Sequence, residues 1–120
     1  MARVLIVDDS RTSRRILKGI LEGKGHSVVG EACNGQEAVD LYSQLKPELV
    51  TMDITMPIMD GLAALRAIRE KDETAKVVMI TAAGQKEKMT EAVKHGAAEF
   101  LTKPFNEGEV LAVVDRIAAL

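Results

Sequence analysis

Val4-Leu5-Ile6-Val7-Asp8-Asp9-Ser10 decides how the rest of the chain is read. Four consecutive apolar residues, two of them valine and one isoleucine, are too few for a helix and too continuous for a half-exposed strand. Such a run suits a strand covered on both faces, as in a parallel sheet. It stops abruptly at two carboxylates. Leu49-Val50-Thr51-Met52 ends in the same way at Asp53, and Val77-Val78-Met79-Ile80 ends at Thr81. Val28-Val29-Gly30 and Phe100-Leu101-Thr102 are more interrupted and read as edge strands.

The stretches between these runs carry a helical period. Ile16, Leu17, Ile20 and Leu21 make one apolar stripe, and Ala38, Val39, Tyr42 and Leu45 make the next. Leu62, Leu65, Ala67 and Ile68 follow, then Met89, Ala92 and Val93, and finally Val110, Leu111, Val113, Val114 and Ile117. Gly25 and Gly96 stand where helices should end in a left-handed residue. Asn34 with Glu37, and Asn106 with Glu109, read as N-caps with an acidic residue three positions on. Pro47 separates the second helix from the third strand. The pattern is βα five times over, which predicts an α/β fold with a parallel sheet and right-handed crossovers. Three inner and two edge strands fit the doubly wound, flavodoxin-like order 2-1-3-4-5.

Length and composition bound the function. A chain of 120 residues, 47% hydrophobic and 28% charged, suits one packed domain over residues 1–120. Aromatics are only 2%, namely Tyr42, Phe100 and Phe105, and the formal charge is −2. Neither stacking platforms nor a basic footprint for nucleic acid is present. The single cysteine, Cys33, leaves no partner for an intramolecular disulfide and is expected to be a small packing residue. His26 and His95 flank helix-ending glycines and are expected at the surface. The N-terminal apolar run is too short for a secretory signal or a membrane span, so a cytoplasmic protein is expected.

In open parallel sheets, ligands bind beyond the carboxyl ends of the strands, where the strand order reverses. Strand 1 delivers Asp8 and Asp9 there, strand 3 delivers Asp53, strand 4 delivers Thr81 and strand 5 delivers Lys103. Three close carboxylates repel one another and need a raised pKa or a cation. Oxygen donors without Cys or His suit Mg²⁺, with Mn²⁺ also possible, rather than zinc. Mg²⁺ favours few carboxylates plus water and a phosphate oxygen, which points to phosphoryl transfer. Taken singly, each of these residues has a plain reading: a helix cap, a turn residue or a solvated charge. The convergence of four strand ends is what argues for a site.

Val7-Asp8-Asp9-Ser10, Met52-Asp53-Ile54-Thr55-Met56-Pro57, Asp60-Gly61, Thr81-Ala82 and Lys103-Pro104-Phe105 together resemble the receiver domain of two-component response regulators. The resemblance runs through the whole chain, in order, and is strongest to stand-alone CheY-type chemotaxis regulators. It implies that Asp53 is the phosphoacceptor. It implies that Asp9 is a direct Mg²⁺ ligand, that Asp8 acts largely through water, and that Asp53 and the Thr55 backbone carbonyl complete the protein ligands. Lys103, the Thr81 hydroxyl and the Ala82 N–H would hold phosphoryl oxygens, and the Lys103–Pro104 peptide is expected to be cis. Phe100 falls on the family's switch position, where tyrosine is frequent; it lacks the hydroxyl. Thr55 and Ala83 occupy the positions that flank the attacking water, and neither offers a carboxylate to orient it.

The resemblance also implies partners. Arg11, Arg14, Arg15 and Lys18 share one side of the first helix and would meet a histidine kinase or histidine-phosphotransfer domain. The face formed by helix 4, strand 5 and helix 5 would meet a downstream protein, with the flagellar motor switch as one possibility. The expected role is a phosphorylation-driven binding switch, not a turnover enzyme on an external substrate. The alternative is a receiver cut from a longer regulator with a DNA-binding or enzymatic output. A haloacid-dehalogenase-type phosphatase is disfavoured because its second motif Asp falls on Thr55. A flavodoxin-like cofactor binder is disfavoured because Asp8-Asp9 stands where a phosphate-cradling loop is needed.

Overall fold

A computed structural model describes residues 1–120 and places five βα units in succession. They are β1 (Arg3–Val7), α1 (Arg11–Gly23), β2 (Ser27–Ala32), α2 (Gly35–Leu45), β3 (Leu49–Asp53), α3 (Gly61–Lys71), β4 (Val77–Thr81), α4 (Lys86–Lys94), β5 (Glu99–Thr102) and α5 (Glu107–Ala118). The strands pair in parallel in the order β2-β1-β3-β4-β5. The two interrupted runs are therefore the edges. The continuous runs β3 and β4 are buried along their whole length, as is β1 after Arg3.

Strand side chains alternate between two cores. Leu5, Val7, Val50, Met52, Val77 and Met79 pack with residues of α2 and α3 and with Ala92 of α4. Val4, Ile6, Leu49, Val78 and Ile80 pack with α1 and α5 through Leu17, Leu21, Val110, Val114 and Ile117. No helix is long and apolar enough to cross a membrane.

The turn signals act as read. Asn34 and Asn106 cap α2 and α5 by accepting from the Glu37 and Glu109 amides at 2.9 and 2.8 Å. Gly25 and Gly96 have φ of 88° and 90°, where a Cβ would be strained. The Lys103–Pro104 bond is cis.

Several expectations need correction. Ile16 and Val93 leave their stripes and face solvent, because each helix covers the sheet through a narrow arc. His26 is buried: its Nδ1 accepts from the Ala2 N–H at 3.0 Å and its Nε2 lies 2.8 Å from Asp115 Oδ1. The ring ties the N-terminal segment to α5, a long-range contact that a flanking glycine does not announce. Cys33 is exposed rather than packed. Its thiol donates to Glu37 Oε1 at 3.1 Å, and that bond pushes the thiol pKa up, away from the reactive thiolate.

Candidate functional site

The β1 and β3 ends lie side by side, and the chain turns sharply after each. Asp8 Oδ1 accepts from the Ser10 amide at 2.8 Å, and Ser10 Oγ then caps α1 by accepting from Ser13 N–H at 3.2 Å. Asp53 Oδ1 accepts from its own neighbour, the Ile54 amide, at 2.9 Å. Gly61 opens α3 with its backbone pressed on the Asp53 carbonyl, and a Cβ there would overlap that carbonyl. The Gly61 amide donates to Ile54 O at 2.7 Å, and Asp60 caps the helix through the Ala63 amide at 2.9 Å. The Asp60-Gly61 pair therefore fixes the β3–α3 loop against the strand end.

Carboxylate oxygens of Asp8, Asp9 and Asp53 all lie within 4.8 Å of one another. Asp8 and Asp53 are buried and Asp9 is exposed. Lys103 reaches in from the end of β5, with Nζ 3.0 Å from Asp8 Oδ2 and 3.4 Å from Asp53 Oδ2. Burial pushes the Asp53 carboxyl pKa up; the Lys103 charge pulls against this and Asp8 adds to it, leaving it above its ordinary value. Burial alone would lower the Lys103 pKa, but the hydrogen bond it donates to Asp8 and the charges of both carboxylates outweigh it and raise it. One ammonium among three carboxylates leaves excess negative charge at a partly open, all-oxygen cluster. That donor set fits a hard divalent cation.

Thr81 ends β4, fully buried, and its Oγ1 contacts Met89 Sδ of α4 at 3.7 Å. The next residue, Ala82, is exposed, yet its N–H is already engaged by Gln85 Oε1 at 2.7 Å. Gln85 Nε2 in turn donates to Thr55 Oγ1 at 2.9 Å. Neither Gln85 nor Met89 was marked as a site residue by the sequence, since each gains its role only when α4 packs beside the strand ends. Phe100 is partly buried against the α2–α4 side of the sheet, in register with Met79.

The basic side of α1 is real but not uniform. Arg14 is tied down: Nη1 donates to Asp8 O at 2.7 Å and Nε pairs with Glu31 at 3.2 Å. Lys18 reaches the same glutamate at 3.9 Å, while Arg11 and Arg15 stay exposed. A separate cleft of about 880 Å³, lined in part by Tyr42, Lys46, Lys71, Asp72 and Lys76, lies at the opposite end of the sheet from the acidic cluster.

The chain that sets an aspartate cluster beside a strand-end lysine on a 2-1-3-4-5 sheet matches the family model "Response regulator receiver domain" over residues 4–115. The chain belongs to the response regulator receiver family. Aspartyl phosphorylation is the general mechanism of receivers, which bind Mg²⁺ at an acidic pocket and are not generally turnover enzymes on external substrates. Receivers of the CheY type interact with kinases and with downstream targets. Among similar proteins, Protein CcdB of Bacillus subtilis is 49% identical, with 98% of each chain covered. Chemotaxis protein CheY of Thermotoga maritima is 46% identical, with 97% of each covered. The solved CheX-CheY-BeF3-Mg+2 complex from Borrelia burgdorferi superposes with a TM-score of 0.92 at 38% identity, over 96% of this chain and 87% of that one.

Proposed function

We propose that this receiver is a phosphorylation-driven binding switch with Asp53 as its phosphoacceptor, used in chemotaxis signalling. The observation that carries the assignment is the lysine-bridged pair: Asp53 and Asp8 share Lys103 at 3.4 and 3.0 Å, and Asp9 stands next to both. The chemotaxis output is supported by CheY relatives such as those of Thermotoga maritima and Listeria monocytogenes, at 46% and 47% identity and nearly full coverage.

Mg²⁺, held by Asp9, Asp53 and the Thr55 carbonyl with Asp8 beside them, would neutralise charge on the phosphoryl oxygens. Asp53 attacks phosphorus in line; its new O–P bond replaces the P–N bond of a partner's phosphohistidine or the P–O bond of an acyl phosphate. The Ile54 amide fixes the carboxylate's orientation through Oδ1. Lys103, already between the two aspartates, takes one equatorial oxygen. Catalysis is then positioning and electrostatics, as phosphoryl transfer requires. Thr81 reaches another oxygen by leaving Met89, and the volume it gives up is available to Phe100 as the switch aromatic. The signal leaves through the face of α4, β5 and α5.

Incubation with acetyl phosphate, with and without Mg²⁺, followed by intact mass tests the assignment. One added phosphoryl group is expected, dependent on Mg²⁺ and absent in Asp53→Asn. Equal labelling of that variant overturns it.

A further inference from the structure

The Ala82 N–H is the first amide beyond β4, and the proposed function needs it free to meet a phosphoryl oxygen. It is not free. Gln85 Oε1 accepts from it at 2.7 Å, closing a side-chain loop over Ala83 and Gly84 of the β4–α4 turn. The turn is tight because Gly84 adopts φ 88°. Gln85 stands at the N-cap position of α4 but makes no side-chain capping bond to that helix. Its carboxamide is spent wholly on Ala82 and, through Nε2, on Thr55 Oγ1 at 2.9 Å. One side chain thus ties the loop after Asp53 to the loop after Thr81.

We propose that Gln85 is a positioning residue for phosphoryl capture, whose carboxamide occupies the Ala82 N–H until a phosphoryl oxygen displaces it. The inference rests on the assignment of Asp53 and Ala82 made above. An amide donor cannot serve two acceptors at full strength, so the incoming anion and Gln85 compete for one hydrogen. The anion wins because a charge-assisted bond is roughly twice as strong as a neutral one. Displacement breaks the link to Thr55 in the same step, and frees the residue that leads into α4. Occupancy of the phosphoryl site is thereby reported at the head of the helix that carries Met89, the contact of Thr81.

The test uses beryllium fluoride with Mg²⁺ as the phosphoryl probe, followed by ¹H–¹⁵N NMR on the whole chain. In the wild-type protein the Gln85 side-chain NH₂ signals should move to solvent-like positions on saturation. Gln85→Ala removes the competitor, and the probe should bind roughly threefold to tenfold more tightly, the range set by one neutral hydrogen bond. Gln85→Glu strengthens the hold on Ala82 and repels the anion, and should weaken binding by about tenfold or more. A merely structural role would move both variants in the same direction. Equal or weaker binding by Gln85→Ala, or unmoved Gln85 signals at saturation, overturns the proposal while leaving the receiver assignment intact. No Mg²⁺-dependent binding by the wild-type chain overturns both.

Discussion

Lys103 Nζ donates to Asp8 Oδ2 at 3.0 Å, a closer contact than the 3.4 Å it keeps to Asp53. The lysine is therefore held chiefly by Asp8, just beyond β1, and only leans on the β3 carboxylate. Burial with incomplete compensation is why the Asp53 pKa stays raised. A carboxylate in that position costs stability in its charged form. In metal-free buffer at neutral pH, Asp53→Asn should be more stable than wild type, on the order of 1 kcal/mol, by urea unfolding. A less stable variant would mean that Lys103 compensates the charge fully.

Mg²⁺ should stabilise the folded chain, because the cation binds a cluster that the unfolded chain does not assemble. At tenfold its dissociation constant the gain is about 1.4 kcal/mol. Asp9 is exposed, so Asp9→Asn should fold normally yet lose most of the thermal shift on Mg²⁺ addition. A full shift in that variant would remove Asp9 from the ligand set.

Docking on α1 is best probed away from Arg14, which is committed to Glu31 and to the Asp8 carbonyl. Charge reversal at Arg11 and Arg15, both exposed, should slow phosphoryl transfer from a histidine kinase severalfold and leave labelling by acetyl phosphate unchanged. Equal slowing from both donors would place these residues in the chemistry rather than in docking.

Tyr42 is the only tyrosine, and the chain has no tryptophan, so its ionisation can be read directly at 295 nm. Burial, then the hydrogen bond to Asp72 at 2.8 Å, pushes its pKa up to about 12. The folded state keeps this proton longer than the unfolded chain, whose tyrosine ionises near 10. The contribution is therefore complete below about pH 10 and is lost as pH rises toward 12. Asp72→Asn should bring the titration back toward the ordinary value; an unchanged curve would leave burial as the sole cause.

Thr51 is fully buried in β3 and its Oγ1 has no hydrogen-bond partner. Thr51→Val keeps the shape and removes the unpaired hydroxyl, and should stabilise the protein by about 1 kcal/mol. Destabilisation would show that the hydroxyl is satisfied in solution.

Much of the molecule was legible in the chain because each signal is local. Val4–Val7 and Val77–Ile80 are apolar without a break because both faces of an inner strand are covered, and β2 and β5 are broken because an edge is not. Asn34, Asn106, Gly25 and Gly96 act within a few residues of themselves. The strand-end acids and Lys103 were legible for another reason: a parallel sheet sends all its carboxyl ends to one edge, so strand order alone gathers them. What the sequence missed depends on where a side chain turns once the helices are packed, whether its partner is distant or one helical turn away. His26 reads as a surface residue until α5 brings Asp115 to it, and Cys33 reads as packing until α2 turns Glu37 onto its thiol.

The chain by itself determined the five βα units, the parallel sheet and the set of groups at its carboxyl edge, since periodicity, caps and turn residues act through the neighbouring backbone. Only the tertiary structure decided how those groups share their bonds. Asp8 rather than Asp53 has the closer hold on Lys103, Met89 receives the Thr81 hydroxyl, and Gln85 occupies the Ala82 amide. The Lys103 preference is a matter of 3.0 against 3.4 Å, and the other two need α4 seated beside the strand ends; both are set by how helices and loops pack, not by which residues they contain.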